Sequence, residues 1–321
     1  MKLLVSGGAG FIGSNFIRDW LKNNPESEII NLDLLTYAGN LDNLKDLEEN
    51  SNYQLVKGSI NDKDLVFSLV KSVDVIVHFA AESHVDRSIE DSSLFVETNV
   101  LGTHVLLEAA RLNGNKRFHH ISTDEVFGSL KLNDPKFNEN SSYDPRSPYS
   151  ASKAGADHLV RSYWHTHNLP ITVSNCSNNY GPYQYPEKLI PLFITNLIDN
   201  KPVPVYGEGK NIRDWIHVSD HNRGVEKIIK NGKIGSTYCL GGGNELSNLE
   251  ITYEILKTMG KGEEMIKYVD DRLGHDFRYA IDYSLIEKEL DWKPEISFSE
   301  GLKDTIKWYI DNPNWWRKLK N

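Results

Sequence analysis

The chain of 321 residues has an ordinary globular composition, with 39% hydrophobic and 25% charged residues. Its length allows one large domain or two moderate ones. The formal net charge of −9 argues against a nucleic-acid or anionic-membrane partner, because those partners need concentrated basic charge on the protein. No apolar run reaches the ~18 residues of a membrane span. Cys176 and Cys239 have neither disulfide-framework nor metal-ligand spacing, so we predict no metal and a cytoplasmic location.

The first predicted elements form a cofactor-binding βαβ unit. A buried strand, Lys2–Ser6, runs into three spaced glycines and a helix from Ser14 to Leu21: Gly7, Gly10 and Gly13. Such glycines let a pyrophosphate approach the helix N-terminus, where free N–H groups favour anions. The second predicted strand, Glu28–Asp33, ends in an acid at the distance where a carboxylate binds the adenosine ribose. Because Asp33 would repel a 2′-phosphate, we predict NAD rather than NADP; a glycine turn without ligand is the alternative.

The alternation of strands and helices continues and predicts a parallel sheet covered on both faces. The next elements are two strands that enclose a helix: Tyr53–Val56, Asp62–Lys71 and Val73–Ala81. Ala80 and Ala81 would let a cofactor approach closely, and the polar loop Glu82–Ser88 is a site candidate. A helix from Ser92 to Asn113 has a broad apolar face that indicates core or a partner interface. Thr98 and Asn99 on this helix are either satisfied buried residues or cofactor contacts.

The next stretch carries groups that can move protons. The predicted strand Arg117–Ile121 leads into Thr123, Asp124 and Glu125. Tyr149 and Lys153 lie about one turn apart on a predicted helix, Tyr149–His165. A lysine ammonium beside a tyrosine lowers a pKa that starts near ~10, which makes a plausible general base. The alternative is a surface acidic pair followed by an ordinary helix start.

We predict two interleaved domains. The strand Ile171–Cys176 would complete the first, NAD-binding domain by about residue 177, with residues about 211–236 returning to it. Residues about 178–210 and 237–321 would form a smaller substrate-binding domain. Its predicted elements are a helix at Pro186–Asp199, an edge strand at Val203–Tyr206 and a helix at Leu249–Met259. A further helix, Asp220–Lys230, would pack back on the first domain. Arg213 and Arg272 supply cationic donors suited to a diphosphate.

The motifs Gly7-x-x-Gly10-x-x-Gly13 and Tyr149-x-x-x-Lys153 resemble the extended short-chain dehydrogenase/reductase superfamily. Within it, Thr123-Asp124-Glu125 and three longer segments resemble the dehydratases that act on dTDP-glucose: residues 33–40, 78–88 and 178–184. The resemblance implies an α/β fold, a Rossmann-type doubly wound parallel sheet with a smaller interleaved α/β substrate domain. It also implies NAD as cofactor, dTDP-glucose as substrate, and a homodimer formed by the helices predicted at 92–113 and 149–165.

The resemblance also implies the site residues. The catalytic residues would be Thr123, Asp124, Glu125, Tyr149 and Lys153. NAD contacts would come from the glycine loop, the strand ends and two helices: Gly7, Gly10, Phe11, Ile12, Gly13, Asp33, Leu34, Thr36, Ser59, Ile60, Ala80, Ala81, Ser83, Thr98, Tyr149, Lys153 and Asn179. Contacts with the nucleotide sugar would be Ser83, Thr123, Asn178, Lys188, Leu189, Pro204, Tyr206, Arg213, Asn248, Arg272 and His275.

The implied reaction removes water through an internal redox cycle. Tyr149 takes the proton of the sugar 4-hydroxyl, held by Thr123, while hydride passes to NAD. Glu125 then removes the C5 proton, Asp124 protonates the departing 6-hydroxyl, and the hydride returns to C6. A 4-epimerase or decarboxylase of the same superfamily needs the tyrosine and lysine but not the acidic pair. A non-catalytic NAD-binding regulator would need neither.

Three positions depart from the family pattern. Ser59 stands where an acidic residue is usual near the adenine, Leu273 replaces a proline, and Phe277 stands where a basic residue is common. None of these positions belongs to the implied proton-transfer residues. We therefore expect the departures to affect affinity rather than the type of reaction.

Overall fold

The structure is a computed structural model that describes residues 1–271 and 275–320. Within those residues, twelve strands form three sheets. In chain order they are β1 (Lys2–Ser6), β2 (Glu28–Asp33), β3 (Tyr53–Lys57), β4 (Val75–His78), β5 (Arg117–Thr123), β6 (Ile171–Cys176), β7 (Asn178–Tyr180), β8 (Val203–Tyr206), β9 (Ile212–His217), β10 (Thr237–Leu240), β11 (Glu245–Ser247) and β12 (Ile266–Val269).

Helices join these strands. In chain order they are α1 (Phe11–Asn23), α2 (Lys63–Val70), α3 (Val85–Glu90), α4 (Ser93–Phe95), α5 (Thr103–Leu112), α6 (Pro148–His167), α7 (Leu189–Ile198), α8 (Val218–Asn231), α9 (Asn248–Thr258), α10 (Ser284–Leu290), α11 (Phe298–Asp311) and α12 (Pro313–Arg317). Short 3-10 helices cover Leu41–Leu47, Asp124–Phe127 and Glu263–Met265, and a π-helical segment, Val96–Gly102, links α4 to α5. No helix among the described residues is long and apolar enough to cross a bilayer.

The main sheet has seven parallel strands in the order β10-β6-β5-β4-β1-β2-β3. The chain first builds outward from β1 to β3 and then returns to the other side of β1 with β4. That reversal creates a crevice beyond the carboxyl ends of β1 and β4, the place where open α/β sheets bind ligands. The topology confirms the predicted doubly wound α/β fold.

Both faces of the main sheet are covered, which explains its nearly continuous apolar strands. Leu3 and Val5 point into one core, with Trp20 and Trp292, while Leu4 points into the opposite core. A third core joins the smaller three-stranded sheet β11-β9-β7 to the surrounding helices and to β8 of the β12-β8 pair. Trp315 and Trp316 of α12 belong to this third core.

Two predictions about the chain path were wrong. The main sheet is not complete by residue 177, because β10, assigned to the smaller domain, pairs in parallel with β6. The segment Glu82–Ser88 is not a loop throughout, since α3 begins at Val85, where the His84 side chain accepts a hydrogen bond from the Arg87 N–H. We propose the same two interleaved domains, with β10 moved to the NAD-binding part.

Candidate active site

A cavity of about 410 Å³ lies at the carboxyl ends of the main-sheet strands. Segments that follow or end β1 to β6 all contribute to its wall. This arrangement follows from the topology, because parallel strands present all their carboxyl ends at one edge of the sheet. Every residue that we predicted to contact NAD lines this cavity. Their roles remain predictions, but their common location is an observation.

The glycine loop has the shape that a pyrophosphate requires. Gly7 has a positive φ of 74°, and a Cβ on it would lie 2.5 Å from the Ala80 nitrogen. A Cβ on Gly13 would lie 2.5 Å from the Gly7 carbonyl oxygen, so the loop and α1 pack without side chains between them. Gly10 precedes α1 without a side-chain cap, which leaves helix N–H groups available to an anion. These features fit a dinucleotide.

Asp33 ends β2 and lines the cavity. Its carboxylate accepts hydrogen bonds of 2.8 Å from the Ala9 and Leu35 N–H groups. Burial raises the pKa of Asp33, and these two N–H groups oppose the shift by stabilising the anion. The backbone bonds hold the carboxylate in the cavity wall, where it can accept from ribose hydroxyls and disfavour a 2′-phosphate.

Tyr149 and Lys153 lie at the inner end of the same cavity, on the first turns of α6. The side chain of Ser147 caps this helix in a capping box with Ser150, which fixes where α6 begins. Lys153 is 4% exposed, and its ammonium donates to the Ile121 carbonyl oxygen at 2.8 Å. The helix start therefore places both side chains beside the end of β5.

We predicted that the Lys153 ammonium would lower the pKa of Tyr149, and this prediction was wrong. Burial, with the nearby Glu125 carboxylate, raises the pKa of Tyr149 well above its ordinary value. Burial also lowers the pKa of Lys153. Sequence spacing showed that the two side chains share a helix face, but not that desolvation and acidic neighbours would outweigh the lysine charge.

Asp124 and Glu125 follow β5 in a 3-10 helix that Thr123 caps. The Thr123 hydroxyl accepts from the Glu125 N–H at 3.2 Å and donates to an Asp124 carboxyl oxygen at 3.4 Å. Asp124 is 2% exposed, and burial together with the Glu125 charge raises the pKa of Asp124 well above its usual range. Burial and the Glu125 charge therefore favour the neutral form of Asp124, which can donate a proton.

A buried polar cluster under α6 was missed at the level of sequence. Asp157, four residues after Lys153, accepts from the Ser122 hydroxyl at 2.8 Å and the Tyr143 hydroxyl at 2.7 Å. His120 lies 3.2 Å from its other oxygen, and burial, with the Lys153 charge, lowers the pKa of His120 to about 4. Asp157 is thus the anion that opposes the loss of charge on Lys153. The sequence signal that could have identified Asp157 is its position four residues after Lys153, on the same helix face.

A second cavity of about 250 Å³ continues from the first. Both cavities are lined by a common set of residues: Ser83, Glu125, Asn178, Asn179, Gln184, Glu187 and Lys188. Of the predicted nucleotide-sugar contacts, Ser83, Asn178, Lys188, Leu189, Pro204, Tyr206, Arg213, Asn248 and His275 line the second cavity. Thr123 lines the first cavity instead, and Arg272 lies outside the described residues. Glu125 therefore stands where the two cavities meet.

Arg213, which is 8% exposed, contributes a positive charge to the wall of the second cavity. Its guanidinium donates to the Asp276 carbonyl oxygen at 3.1 Å and lies 4.3 Å from the centre of the Tyr279 ring. These contacts orient the planar group while leaving other N–H donors for an anion. Tyr279 and Asp276 line this cavity but were not among the predicted site residues, although both flank the predicted His275 in sequence.

The reversal point of the sheet, the glycine loop and the tyrosine–lysine pair together define an extended short-chain dehydrogenase/reductase. More narrowly, the chain belongs to the GDP-mannose 4,6-dehydratase family, whose model matches residues 4–305.

Individual relatives agree with this assignment. The chain is 50% identical to a dTDP-glucose 4,6-dehydratase of Streptomyces niveus, over 100% of this chain and 96% of that protein. It is also 50% identical to one from Mycobacterium tuberculosis, over 100% of this chain and 97% of that protein. Among solved structures it resembles DesIV, the dTDP-glucose 4,6-dehydratase of Streptomyces venezuelae, with NAD and dTDP bound. That likeness has a TM-score of 0.97 and 48% identity and covers 99% of this chain and 100% of DesIV.

Proposed function

We propose that the protein converts dTDP-glucose to dTDP-4-keto-6-deoxyglucose and is therefore a NAD-dependent hydro-lyase of deoxysugar biosynthesis. One observation carries the proposal. Asp124 and Glu125 line the same dinucleotide-shaped cavity as Tyr149 and Lys153, and Glu125 stands where this cavity meets a cation-lined cavity. Hydride transfer alone requires the tyrosine and lysine, whereas the loss of water also requires an acid and a base. The high identity to named dTDP-glucose 4,6-dehydratases supports the same substrate.

The first step is removal of a proton from the sugar 4-hydroxyl. Bound NAD supplies a hydride acceptor and later returns the hydride. The Tyr149 phenolate oxygen is the proton acceptor, and Thr123 beside it can orient the sugar hydroxyl. The pKa of Tyr149, raised by burial and acidic neighbours, must fall before this transfer, and a positive charge brought into the cavity would lower it. Lys153 contributes one such charge, which Asp157 helps to maintain.

The second step is loss of water across C5 and C6. Oxidation at C4 acidifies the C5 proton, and we assign its removal to Glu125, which lines both cavities. Asp124, whose neutral form burial favours, protonates the departing 6-hydroxyl. The two neighbouring carboxyls thus begin the step in opposite protonation states, because ionising one disfavours ionising the other. The reaction then ends with hydride return to C6 and a proton to C5.

The second cavity is suited to the dTDP part of the substrate. Arg213 and Lys188 provide cationic groups for the diphosphate. Lys188 also donates to the Ser83 carbonyl oxygen at 3.1 Å, which fixes its ammonium near the junction. We propose that the remaining predicted contacts, including Asn178, Tyr206 and Asn248, surround the nucleoside and sugar.

Incubation with dTDP-glucose tests the reaction. We expect the base-labile 4-keto-6-deoxy product, with tightly bound NAD regenerated in each turnover. The variant Glu125→Gln should still transfer hydride, seen as NADH absorbance, while water loss falls by roughly a hundredfold or more because its C5 base is missing. Glu187→Gln is the matched control, since Glu187 also lines both cavities but takes no part in the proposed steps.

Two outcomes would contradict this assignment. Formation of dTDP-galactose, or of no product, would exclude a dehydratase in favour of an epimerase or a non-catalytic protein. A Glu125→Gln variant that forms the final product at the parent rate would remove Glu125 as the C5 base.

We further propose a homodimer in a cytoplasmic setting. The helical stretch from α4 to α5 exposes large apolar side chains, including Leu101 at 49% and Leu112 at 57%, and packs beside α6. A second copy would cover this surface. Light scattering should give twice the chain mass, and a stable monomer would contradict the proposal.

Cys176 and Cys239 are buried free thiols, which suits a reducing compartment.

A further inference from the structure

The C-terminal helix α12 reaches the cofactor loop from the far end of the chain. The indole N–H of Trp315 donates to the Asn43 side-chain oxygen at 2.8 Å, across 272 positions of sequence. Trp315 is 8% exposed and Asn43 is 1% exposed, so water cannot readily replace this bond. The contact therefore ties the last helix to the segment that follows β2.

Asn43 in turn is hydrogen-bonded to the glycine loop. Its side-chain N–H donates to the Ala9 carbonyl oxygen at 2.9 Å, and the Ala9 N–H donates to Asp33 at 2.8 Å. Arg18 donates to the Asn43 main-chain carbonyl at 2.5 Å and so holds the residue from a third direction. A continuous series of hydrogen bonds thus runs from the C-terminal indole to the carboxylate at the adenosine end of the cavity.

The chemistry of the groups fixes the orientation of the Asn43 amide. An indole N–H can only donate and a main-chain carbonyl can only accept, so the amide oxygen must face Trp315 and its nitrogen must face Ala9. Rotation of the amide by half a turn would break both of these hydrogen bonds and leave the Ala9 carbonyl with the Asn40 N–H alone. Phenylalanine in place of Trp315 would remove the only donor that the described residues offer to that amide oxygen.

Trp315 also contacts a second residue group at the cavity wall, around Tyr183. Its ring lies 5.9 Å from that of Tyr183 in an edge-on contact, and Trp308 packs against both rings. Tyr183 lines the cofactor cavity and has a positive φ of 67°, a conformation that a tyrosine adopts only when its surroundings hold it. One side chain of α12 therefore reaches the cavity by two separate routes.

We propose that Trp315 is a positioning residue for the cofactor, which holds the Asn43 amide and the glycine loop in the shape that retains NAD. The inference rests on the proposed function only in taking NAD as the ligand. Without the indole N–H, the Asn43 amide has a buried, unsatisfied oxygen, and the loop can leave its binding shape to relieve that cost. The measured affinity then falls in proportion to the fraction of molecules whose loop keeps that shape.

The experiment compares Trp315→Phe with Trp316→Phe. Trp316 is the next residue, is 1% exposed, and donates its indole N–H to the Tyr309 carbonyl oxygen at 2.8 Å, inside the C-terminal region. Both variants lose one buried indole hydrogen bond, so they should lose comparable thermal stability. We expect NAD to dissociate roughly tenfold faster from the purified Trp315→Phe holoenzyme, with parent-like dissociation from Trp316→Phe. The kcat at saturating NAD should stay within about twofold of the parent in both variants.

The outcomes separate this inference from the proposed function. Equal NAD dissociation in the two variants, whether slow or fast, would overturn the positioning role. A parent protein that binds no NAD would instead overturn the proposed function. If Trp315→Phe does not fold, Asn43→Leu, of similar volume, removes the same link at its centre. It should release NAD faster than the parent, and parent-like retention would overturn the inference.

Discussion

The cofactor cavity and the nucleotide-sugar cavity are built in different ways. The first is formed largely by backbone at the ends of successive parallel strands, where glycines at 7, 10 and 13 leave room for a ligand. The second is formed by side chains from α7, β8, β9 and the segment 275–279, which meet only because the third core brings these elements together. The position of the cofactor site therefore follows from the repeated βα topology of the main sheet. The position of the sugar site depends instead on long-range packing.

The difference in construction leads us to expect independent binding functions. A change in the wall of one cavity should alter the affinity for its own ligand and leave the other ligand unaffected. The residues assigned to proton transfer, such as Glu125, should instead alter the chemistry without altering either affinity. The following variants examine this separation.

The largest effect is expected from Asp33→Ala in the cofactor cavity. The variant loses the acceptor for the ribose hydroxyls and leaves the Ala9 and Leu35 N–H groups without their partner. We expect NAD affinity to fall by about 4 kcal/mol, roughly a thousandfold. Calorimetric titration with NAD measures the change, and binding of dTDP should be unaltered. Asp62→Ala is the control, since Asp62 also accepts a main-chain N–H, from Leu65, but does not line the cavity. Equal losses would show that the effect is structural.

An intermediate effect is expected from Asp214, which holds the wall behind the sugar cavity. Its two carboxyl oxygens accept from the Gly242 and Asn244 N–H groups at 3.0 and 2.9 Å. Burial raises the pKa of Asp214 to about 6 from an ordinary value of 3.8. The unfolded chain therefore releases the proton at lower pH than the folded chain, and stability from this group is lost as pH rises through that interval.

Asp214→Asn removes this titration. The free energy of unfolding of the parent, measured relative to the variant, should decrease by about 3 kcal/mol between pH 4 and pH 7. Urea unfolding at several pH values measures the difference. A constant difference across that interval would mean that the folded and unfolded chains titrate Asp214 alike. The same variant should not change NAD affinity, because Asp214 does not line the cofactor cavity.

The smallest effect is expected from Arg213→Met in the sugar cavity. Methionine keeps the length of the side chain but removes a charged donor from the diphosphate, which costs about 2 kcal/mol. The KM for dTDP-glucose should rise roughly thirtyfold, while retention of NAD stays at the parent level. Arg278→Met is the control, since Arg278 is buried but pairs with Glu245 at 2.7 Å rather than lining the cavity. A loss of NAD in Arg213→Met would show that the two cavities are coupled.

Local sequence was sufficient to predict most of the elements that form the cofactor cavity. The bounds of β1, β2 and β6 were predicted correctly, because each is a short apolar run between clear turn signals. Within such a framework, the glycine loop and Asp33 had to fall at the strand ends. The placement of β10 was wrong because four residues carry little periodicity, and their pairing with β6 spans more than sixty positions.

By itself, the sequence determined the doubly wound fold, the family and the presence of an acidic pair after Thr123. Those features depend on short patterns whose physical consequences are local. The tertiary structure decided the raised pKa values of Asp124 and Tyr149, the anion at Asp157 and the link from Trp315 to the glycine loop. Burial and long-range contacts set these properties, and neither can be deduced from the spacing of residues along the chain.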